Sequence, residues 1–219
     1  MPHDRLYIGT RRYSSWSLRG WLAVRLAGLG VEEIAIPLAG GVTPAVAAIS
    51  PGGTVPYLEH AGNKVWDSLA ICEYCAEQAP GLWPDSPAAR AHARVIAAEM
   101  HSGFRELRMA MPMSLFRPAA GTSGNDGTAA DIARITAIWR ETRTRFGAGG
   151  PFLFGRVFTL ADAMYAPVVA RLLTYAPKLD ADAAAYCAAV RAHPLVAEWY
   201  AAAAAEPAAW HIAKYETAP

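Results

Sequence analysis

RLYIGTRRYSSWSLRGWLAVRLAGLG, residues 5–30, is the stretch that decides the fold. It begins with a short apolar run, Leu6 to Ile8, which predicts a strand ending at Gly9. From Trp16 to Leu29, apolar side chains recur on one helical stripe, and glycines follow, which predicts a helix with a glycine end. A strand followed by a helix predicts that the next strand will pair in parallel with the first.

The chain downstream completes a small α/β module. Residues 33–37 predict the second strand, and Thr43-Pro44 opens a short helix with proline at its first position. Residues 55–59 and 64–66 flank Gly62-Asn63 and predict an antiparallel hairpin. A helix then runs from Asp67-Ser68 to about residue 79. The predicted order is β-α-β-α-β-β-α.

A break follows, and beyond it we find only helical patterns. Three prolines and a glycine lie between Pro80 and Pro87 and predict a linker. We expect a long helix from Pro87 to about Met111, helix starts at Thr128-x-x-Asp131 and Thr159-x-x-Asp162, and five or six helices in all. The predicted division is an α/β domain over 1–80, a linker over 81–87 and an all-α domain over 88–219.

Composition excludes several classes of protein. The chain has 219 residues, of which 53% are hydrophobic and 18% charged, and its formal net charge is +1. Enough apolar residues are present for a core, and the charge balance argues against a nucleic-acid binder. No apolar run approaches the roughly 18–20 residues of a membrane span, and the N-terminus has no signal-peptide layout. Three cysteines suit a reducing compartment, so we expect a cytoplasmic protein.

An α/β module followed by a helical domain resembles the cytosolic glutathione transferases, and ordered motifs sharpen the resemblance. Ser14-Ser15-Trp16 resembles the Ser-Ser-Cys motif of the zeta class, which includes maleylacetoacetate isomerase. Three other stretches match family motifs: 50–56, which ends in Val55-Pro56, the acidic-Ser pair Asp67-Ser68, and the box at 159–162. Residues 98–104, with 111–113, resemble a bacterial branch of the family. Two positions depart from the pattern: Trp16 replaces the zeta cysteine, and Thr54 replaces a longer polar residue.

Ser14 and Ser15 are the candidate catalytic residues. They lie between a strand end and a helix start, where free N–H groups and the helix dipole favour an anion such as a thiolate. A hydroxyl that donates to the sulfur stabilises the thiolate further. One serine can equally serve only as the helix cap. The resemblance favours Ser14 as the thiolate partner, with Ser15 second.

The resemblance implies a glutathione site at the other motifs. In the family, the proline of the Val-Pro pair is cis, and the Val55 backbone would then pair with the backbone of glutathione. Asp67 would take the ammonium of the γ-glutamyl group and Ser68 its carboxylate, although such a pair can also be a plain helix cap. The predicted glutathione-binding residues are Trp16, Thr54, Val55, Pro56, Asp67 and Ser68.

The helical domain would supply the electrophile site. His101, Phe104 and Arg108 fall on one side of the long helix and, with Arg11, form the predicted electrophile pocket, although a solvated face explains them equally well. Cys72 and Cys75 lie inside a helix, so we interpret this Cys-x-x-Cys as buried structure rather than a redox or metal site.

These observations predict a homodimeric glutathione transferase that activates glutathione as a thiolate for attack on a small hydrophobic electrophile, without a metal. A glutathione-dependent isomerase of the maleylacetoacetate type and a non-catalytic ligand-binding protein with the same fold stay open as alternatives.

Overall fold

The computed structural model describes residues 4–118 and 124–216. Its first part contains one four-stranded sheet, whose strands lie in the order β2-β1-β3-β4. The strands are β1 (Arg5–Gly9), β2 (Glu32–Ile36), β3 (Tyr57–His60) and β4 (Asn63–Val65). β1 pairs with β2 in parallel and with β3 antiparallel, and β3 and β4 form the antiparallel hairpin. The predicted parallel pairing of the first two strands and the predicted antiparallel hairpin are confirmed.

Three helices complete this part: α1 (Ser15–Leu26), α2 (Pro44–Ile49) and α3 (Ser68–Gln78). The α1 helix ends three residues before the predicted Leu29, and Gly28 follows with a positive φ of 65°, a conformation that glycine adopts at little cost. Proline begins α2, as its fixed φ and missing N–H favour. Together with the helical second part, this is the predicted α/β-plus-α architecture.

The second part is helical, and its described residues form more helices than the five or six predicted. They are α4 (Pro87–Ser102), α5 (Arg105–Ala110), α6 (Asp126–Phe146), α7 (Leu160–Tyr175), α8 (Ala181–Ala192), α9 (Pro194–Ala204) and α10 (Ala213–Glu216), with a 3-10 turn at Ala208–Trp210. The division at 81–87 remains a prediction.

The predicted long helix is broken, and the reason is local. A Cβ at Gly103 would lie 2.7 Å from the Glu99 carbonyl oxygen, so this position requires glycine. Phe104 follows with a left-handed φ of 60°, which a helix cannot contain. The chain therefore leaves α4 at Ser102 and turns into α5, and this turn points Arg108 back toward the first part.

The predicted helix start at Thr128 is also wrong. Asn125 caps α6, because its side chain accepts the Thr128 N–H at 2.9 Å, and Thr128 lies inside the helix. Asp131 instead accepts the Leu107 N–H at 2.9 Å and ties α5 to α6. Sequence spacing matched a capping box here, but asparagine three residues earlier is the stronger cap.

The helix start at Thr159 is confirmed. Asp162 is fully buried and accepts hydrogen bonds from Thr159 N and Oγ1, Leu153 N and the Tyr186 hydroxyl. Burial raises the pKa of this carboxyl, while the four donors oppose that shift. One side chain thus joins the start of α7, the loop before it and α8.

A single main core joins the two parts. The α1 helix packs against α3 on one side and against α7 of the helical part on the other. Trp21 of α1 packs against Trp199 of α9, with ring centroids 5.3 Å apart. Because α1 is almost wholly buried, its N-terminus is held rigidly at the junction of the two parts. In the described ranges, no helix has the length and apolar character needed to cross a membrane.

Candidate functional site

A cavity of about 410 Å³ opens at the N-terminus of α3, and we call it the α3 cavity. It is lined by Trp16, Thr54, Val55, Pro56, Asp67, Ser68, His101 and Ser102. The structure therefore brings together all six residues predicted to bind one ligand, although they come from three separate stretches of sequence. The helical part adds His101 and Ser102 from the end of α4.

One wall of the α3 cavity is the backbone segment just before β3. The Val55–Pro56 peptide bond is cis, and β3 begins at the next residue, Tyr57. In the described ranges, the backbone N–H and C=O of Val55 make no hydrogen bond with another backbone group. This segment can therefore pair with the backbone of a bound peptide, as an added strand would.

Asp67 and Ser68 form the floor of the α3 cavity. The Asp67 carboxylate caps α3, because its Oδ1 accepts the N–H groups of Leu69 at 2.9 Å and Ala70 at 3.3 Å. Ser68 is fully buried, and its hydroxyl has no hydrogen-bond partner within the described part of the chain. A buried polar group without a partner costs about 1–3 kcal/mol of stability. A ligand oxygen that accepts a hydrogen bond from the Ser68 hydroxyl would remove that cost.

His101 approaches the same carboxylate from the helical part. Its Nε2 lies 3.0 Å from Asp67 Oδ2, and its ring meets the Trp16 ring edge-on with centroids 5.2 Å apart. The sequence placed His101 in an electrophile pocket, whereas the structure places it in the α3 cavity. Only the tertiary fold reveals this contact, because the two residues belong to different parts of the molecule.

Ser14 and Ser15 differ in their hydrogen bonds. Ser14 Oγ accepts the Ser17 N–H at 3.3 Å as the cap of α1 and donates to Ser17 Oγ at 2.7 Å. Ser15 Oγ accepts from Arg171 Nη2 at 3.2 Å, which leaves its own proton without an acceptor in the described ranges. Both side chains are buried. Neither serine lines the α3 cavity, and of the two it is Ser15 whose hydroxyl proton has no acceptor among the described residues.

Two guanidinium groups lie over the Trp16 ring. Arg19 Cζ lies 4.5 Å and Arg108 Cζ 4.7 Å from the centre of its ring. Arg19 is fully buried; its Nε donates to the Met164 carbonyl, while both terminal nitrogens lack a hydrogen-bond partner among the described residues. Burial lowers the pKa of Arg19, and the charges of Arg108 and Arg171 lower it further. The junction between the two parts is therefore electropositive.

A second cavity, of about 320 Å³, lies beyond Arg108, and we call it the tail cavity because the C-terminal segment covers it. It is lined by Tyr13, Leu38, Gly40, Gly41, Arg108, Pro112, Met113, Arg171, Ile212 and Tyr215. Of the four residues predicted to form an electrophile pocket, only Arg108 lies here.

Arg11 and Phe104 line neither cavity. Arg11 Nη2 lies 2.8 Å from Glu33 Oε2, an ion pair that holds the guanidinium over the sheet edge, and the Arg11 N–H donates to Glu206. Phe104 is buried in the main core at the turn between α4 and α5. The predicted helical register placed Phe104 beside His101, and the break at Gly103 removes that register.

The C-terminal segment is tied to the loop before α1. Arg12 donates to Glu216 through Nε at 2.7 Å and Nη2 at 2.8 Å, and the Tyr13 hydroxyl also donates to this carboxylate at 2.5 Å. The hydrogen bond from Arg12 lowers the pKa of Glu216 to about 2. Burial and the bond to Glu216 raise the pKa of Tyr13 to about 12. Tyr13 is therefore a neutral donor at physiological pH.

The three cysteines, Cys72, Cys75 and Cys187, are all buried within the chain. Burial raises the pKa of Cys75 and of Cys187 to about 12, and it raises that of Cys72 as well. The interpretation of the Cys-x-x-Cys as buried structure is confirmed. Among the described residues, no cluster of histidine, cysteine and carboxylate side chains could hold a metal ion.

Comparisons with known proteins point to one family across both parts of the chain. Residues 13–78 match the model of the glutathione S-transferase N-terminal domain, and residues 117–202 match that of its C-terminal domain. A probable maleylacetoacetate isomerase from Caenorhabditis elegans is 27% identical over 205 residues, 92% of this chain and 92% of that protein.

Solved structures show the same fold. A glutathione transferase homologue from Burkholderia, with bound glutathione, superposes with a TM-score of 0.71 over 93% of this chain and 100% of that chain, at 20% identity. A maleylacetoacetate isomerase from Anaeromyxobacter dehalogenans, also with bound glutathione, gives a TM-score of 0.64 over 90% of this chain and 94% of that chain, at 25% identity.

Proposed function

Because the chain belongs to the glutathione S-transferase family, we propose that it binds glutathione in the α3 cavity and activates it as a thiolate for attack on a small electrophile. The observation that supports this best is the buried Ser68 hydroxyl, which lacks a partner in the described ranges and lines the cavity beside Asp67. A γ-glutamyl group carries an ammonium and a carboxylate on one carbon, and these two adjacent side chains complement it.

Glutathione would lie across the α3 cavity in one direction. Its ammonium would meet Asp67, and its carboxylate would meet Ser68, whose hydroxyl and backbone N–H make no hydrogen bond in the described ranges. Its cysteine backbone would pair with Val55. The thiol would then point toward the N-terminus of α1, where the dipole stabilises an anion.

We propose Ser15 as the hydroxyl that donates to the sulfur. The sequence favoured Ser14, but the Ser14 hydroxyl already caps α1 and bonds to Ser17. Arg171 donates to Ser15 Oγ, and this positive donor makes the Ser15 proton a better one to give to a thiolate. Deprotonation and proximity are then enough for conjugation.

Replacing each serine by alanine tests this assignment. Loss of one hydrogen bond to a charged acceptor costs about 1.5–3 kcal/mol, or roughly one to two pKa units. We expect Ser15→Ala to raise the pKa of bound glutathione by about that amount, with its affinity nearly unchanged. Ser14→Ala should lower Tm instead, because it removes a helix cap. The measurements are thiolate absorbance and kcat/KM against pH.

If only Ser14→Ala raised the pKa of bound glutathione, Ser14 rather than Ser15 would be the hydroxyl that donates to the sulfur. Glutathione binding with no thiolate band in the wild-type protein would contradict catalysis and favour the ligand-binding alternative.

A glutathione-dependent cis–trans isomerase is the second candidate function. Two of the similar proteins are named as maleylacetoacetate isomerases, and reversible addition of the same thiolate to a conjugated double bond would suffice. Trp16 occupies the position of the zeta-class cysteine, so any such activity would use the thiolate of glutathione alone. Absorbance assays with a cis-enone diacid, with and without glutathione, separate isomerisation from net conjugation.

We also propose that the protein is a cytoplasmic homodimer. The side chains of Cys72 and Cys75 on α3 are buried by the chain itself and cannot contact a second copy. Trp66 and Val95, in contrast, are 44% and 61% exposed, and burial of such side chains against a second copy would stabilise a pair. Light scattering at micromolar concentration would give about 47 kDa for a dimer, twice the 23.4 kDa of the chain.

A further inference from the structure

The tail cavity contains two guanidinium groups, those of Arg108 and Arg171, and no carboxylate among its described lining residues. The rest of its wall is apolar or aromatic, with Met113, Ile212 and Tyr215 as its main side chains. A cavity this small with two positive charges is an unusual place for a neutral, purely apolar ligand, because desolvating each charge is costly.

Eight of the fourteen arginines other than Arg19, Arg108 and Arg171 are paired with acids. Carboxylates lie within 4.0 Å of the guanidinium groups of Arg5, Arg11, Arg12, Arg25, Arg94, Arg134, Arg140 and Arg145. Arg19, Arg108 and Arg171 cluster at the junction of the two parts, and none of them has such a partner in the described ranges. Their donors go to carbonyl and hydroxyl oxygens instead. Burial lowers the pKa of Arg108, and the charge of Asp131 opposes that shift but makes no ion pair with Arg108.

Both arginines of the tail cavity have N–H groups that make no hydrogen bond within the described ranges. Arg171 donates to the carbonyls of Met111 and Pro167 and to Ser15 Oγ, which uses three of its five N–H groups. Arg108 donates through Nε and Nη2 to carbonyls at the end of α4, and its Nη1 has no partner within the described residues. Burial lowers the pKa of Arg171 to about 9, so the group remains a cation at neutral pH.

The tail cavity also adjoins the proposed reaction centre. Arg108 lines it and lies over the ring of Trp16, which lines the α3 cavity, so these two side chains form a wall shared by both cavities. Arg171 lines it and bonds to Ser15. A ligand group held by the two arginines would therefore lie next to the site of the glutathione sulfur.

We propose that the tail cavity selects an electrophile that carries a carboxylate, with Arg108 and Arg171 as its two donors. The planar guanidinium matches a carboxylate in geometry and charge. The apolar body of the same molecule would contact Met113 and Ile212. This inference rests on the proposed function and replaces the expected neutral hydrophobic electrophile by an anionic one.

A matched pair of aromatic electrophiles tests the proposal: 4-chloro-3-nitrobenzoate and 4-chloro-3-nitrobenzamide. In each, the thiolate would form the new C–S bond and chloride would leave with its electron pair, so no further reactant is needed. Rates are divided by the uncatalysed rate of each compound with glutathione. We expect the corrected kcat/KM to favour the carboxylate by about 10- to 100-fold, the range of a charged hydrogen bond.

Variants at the cavity rim separate charge from shape. Gly41 lines the tail cavity, and a Cβ there would meet no atom within 4 Å, so larger side chains fit without strain. Gly41→Asp places a competing carboxylate near the arginines and should lower the preference by about tenfold. Gly41→Asn has the same shape without the charge and should keep the preference. Arg108→Gln should abolish it, provided that circular dichroism shows a folded protein.

Failure of the inference can be told from failure of the proposed function. Equal corrected rates for the two compounds would overturn the carboxylate site while leaving the transferase intact. If neither compound reacts, binding of the unreactive 3-nitrobenzoate and 3-nitrobenzamide is measured by calorimetry. Stronger binding of the benzoate, lost in Gly41→Asp and kept in Gly41→Asn, supports the site, whereas equal or absent binding of both overturns it.

Discussion

The two cavities differ in how far apart their residues lie in the chain. The α3 cavity is lined by short motifs at 54–56 and 67–68 with Trp16, and only His101 and Ser102 come from the helical part. The tail cavity gathers residues from position 13 to position 215, mostly one or two at a time. A ligand shared by a family can thus be inferred from motifs, whereas the second ligand depends on tertiary packing specific to this chain.

The largest expected loss of ligand affinity follows from replacing Ser68, and it should affect the ligand of the α3 cavity only. Ser68→Ala removes the one hydroxyl that would meet the glutathione carboxylate, so we expect affinity for glutathione to fall by about 10- to 100-fold. Ser102 lines the same cavity, but its hydroxyl already donates to the Ala98 carbonyl, so Ser102→Ala is the matched control with a much smaller loss.

Calorimetric titration of glutathione measures both variants. Binding of 3-nitrobenzoate should be the same in Ser68→Ala as in the wild type, because the two cavities use different side chains. Wild-type glutathione affinity in Ser68→Ala would refute the proposed orientation of the γ-glutamyl group.

A smaller effect is expected at His101, which links the helical part to the α3 cavity. His101→Gln removes the imidazole contact with Asp67 Oδ2. The cap of α3 stays intact, because Asp67 Oδ1 accepts the N–H groups of the first turn of α3. We expect glutathione affinity to fall by about three- to tenfold, with Tm nearly unchanged. A drop in Tm without a change in affinity would make His101 a structural residue only.

The smallest effect is expected at Glu216, and it depends on pH. Its pKa is about 2 in the folded chain against an ordinary value of 4.5, so this carboxylate stabilises the fold fully above about pH 4.5, and the contribution is lost as the pH falls toward 2. At pH 7, Glu216→Gln should cost about 1 kcal/mol, or about 2–4 °C in Tm.

Thermal unfolding at pH 7 and pH 3 measures this difference, which should shrink at the lower pH. The same variant should raise KM for the electrophile, since the C-terminal segment covers the tail cavity, and leave the KM for glutathione unchanged. An equal Tm difference at both pH values would show that the ion pair with Arg12 is not its source.

Sequence patterns predicted the sheet because the signals there are local, whereas the six predicted residues that line the α3 cavity follow from the resemblance to a family's short motifs. Alternating strands, a Gly-Asn turn and proline-initiated helices each depend on a few neighbouring residues. The errors in the helix boundaries arose where one local signal overrode another. Gly103 ends α4 because its backbone passes close to Glu99, and Asn125 rather than Thr128 caps α6.

The chemistry of the second cavity could not be predicted in the same way. The position of Arg171 reveals nothing by itself, because its donors reach carbonyls and a serine hydroxyl far away in sequence. The sequence placed Arg11 in the electrophile pocket together with Arg108. In the structure its guanidinium forms an ion pair with Glu33, a partner that no short motif identifies. Only the fold shows which arginines lack an acid.

The buried carboxylate of Asp162 has a consequence for the order of folding events. Three of its four hydrogen bonds join groups at most nine residues apart, so closing this loop costs little chain entropy. We therefore expect the start of α7 to be formed in the folding transition state, with α8 joining through Tyr186. The α1 helix packs against α7, so the junction of the two parts would assemble on a scaffold that the helical part completes first. Asp162→Asn would then slow refolding more than it speeds unfolding.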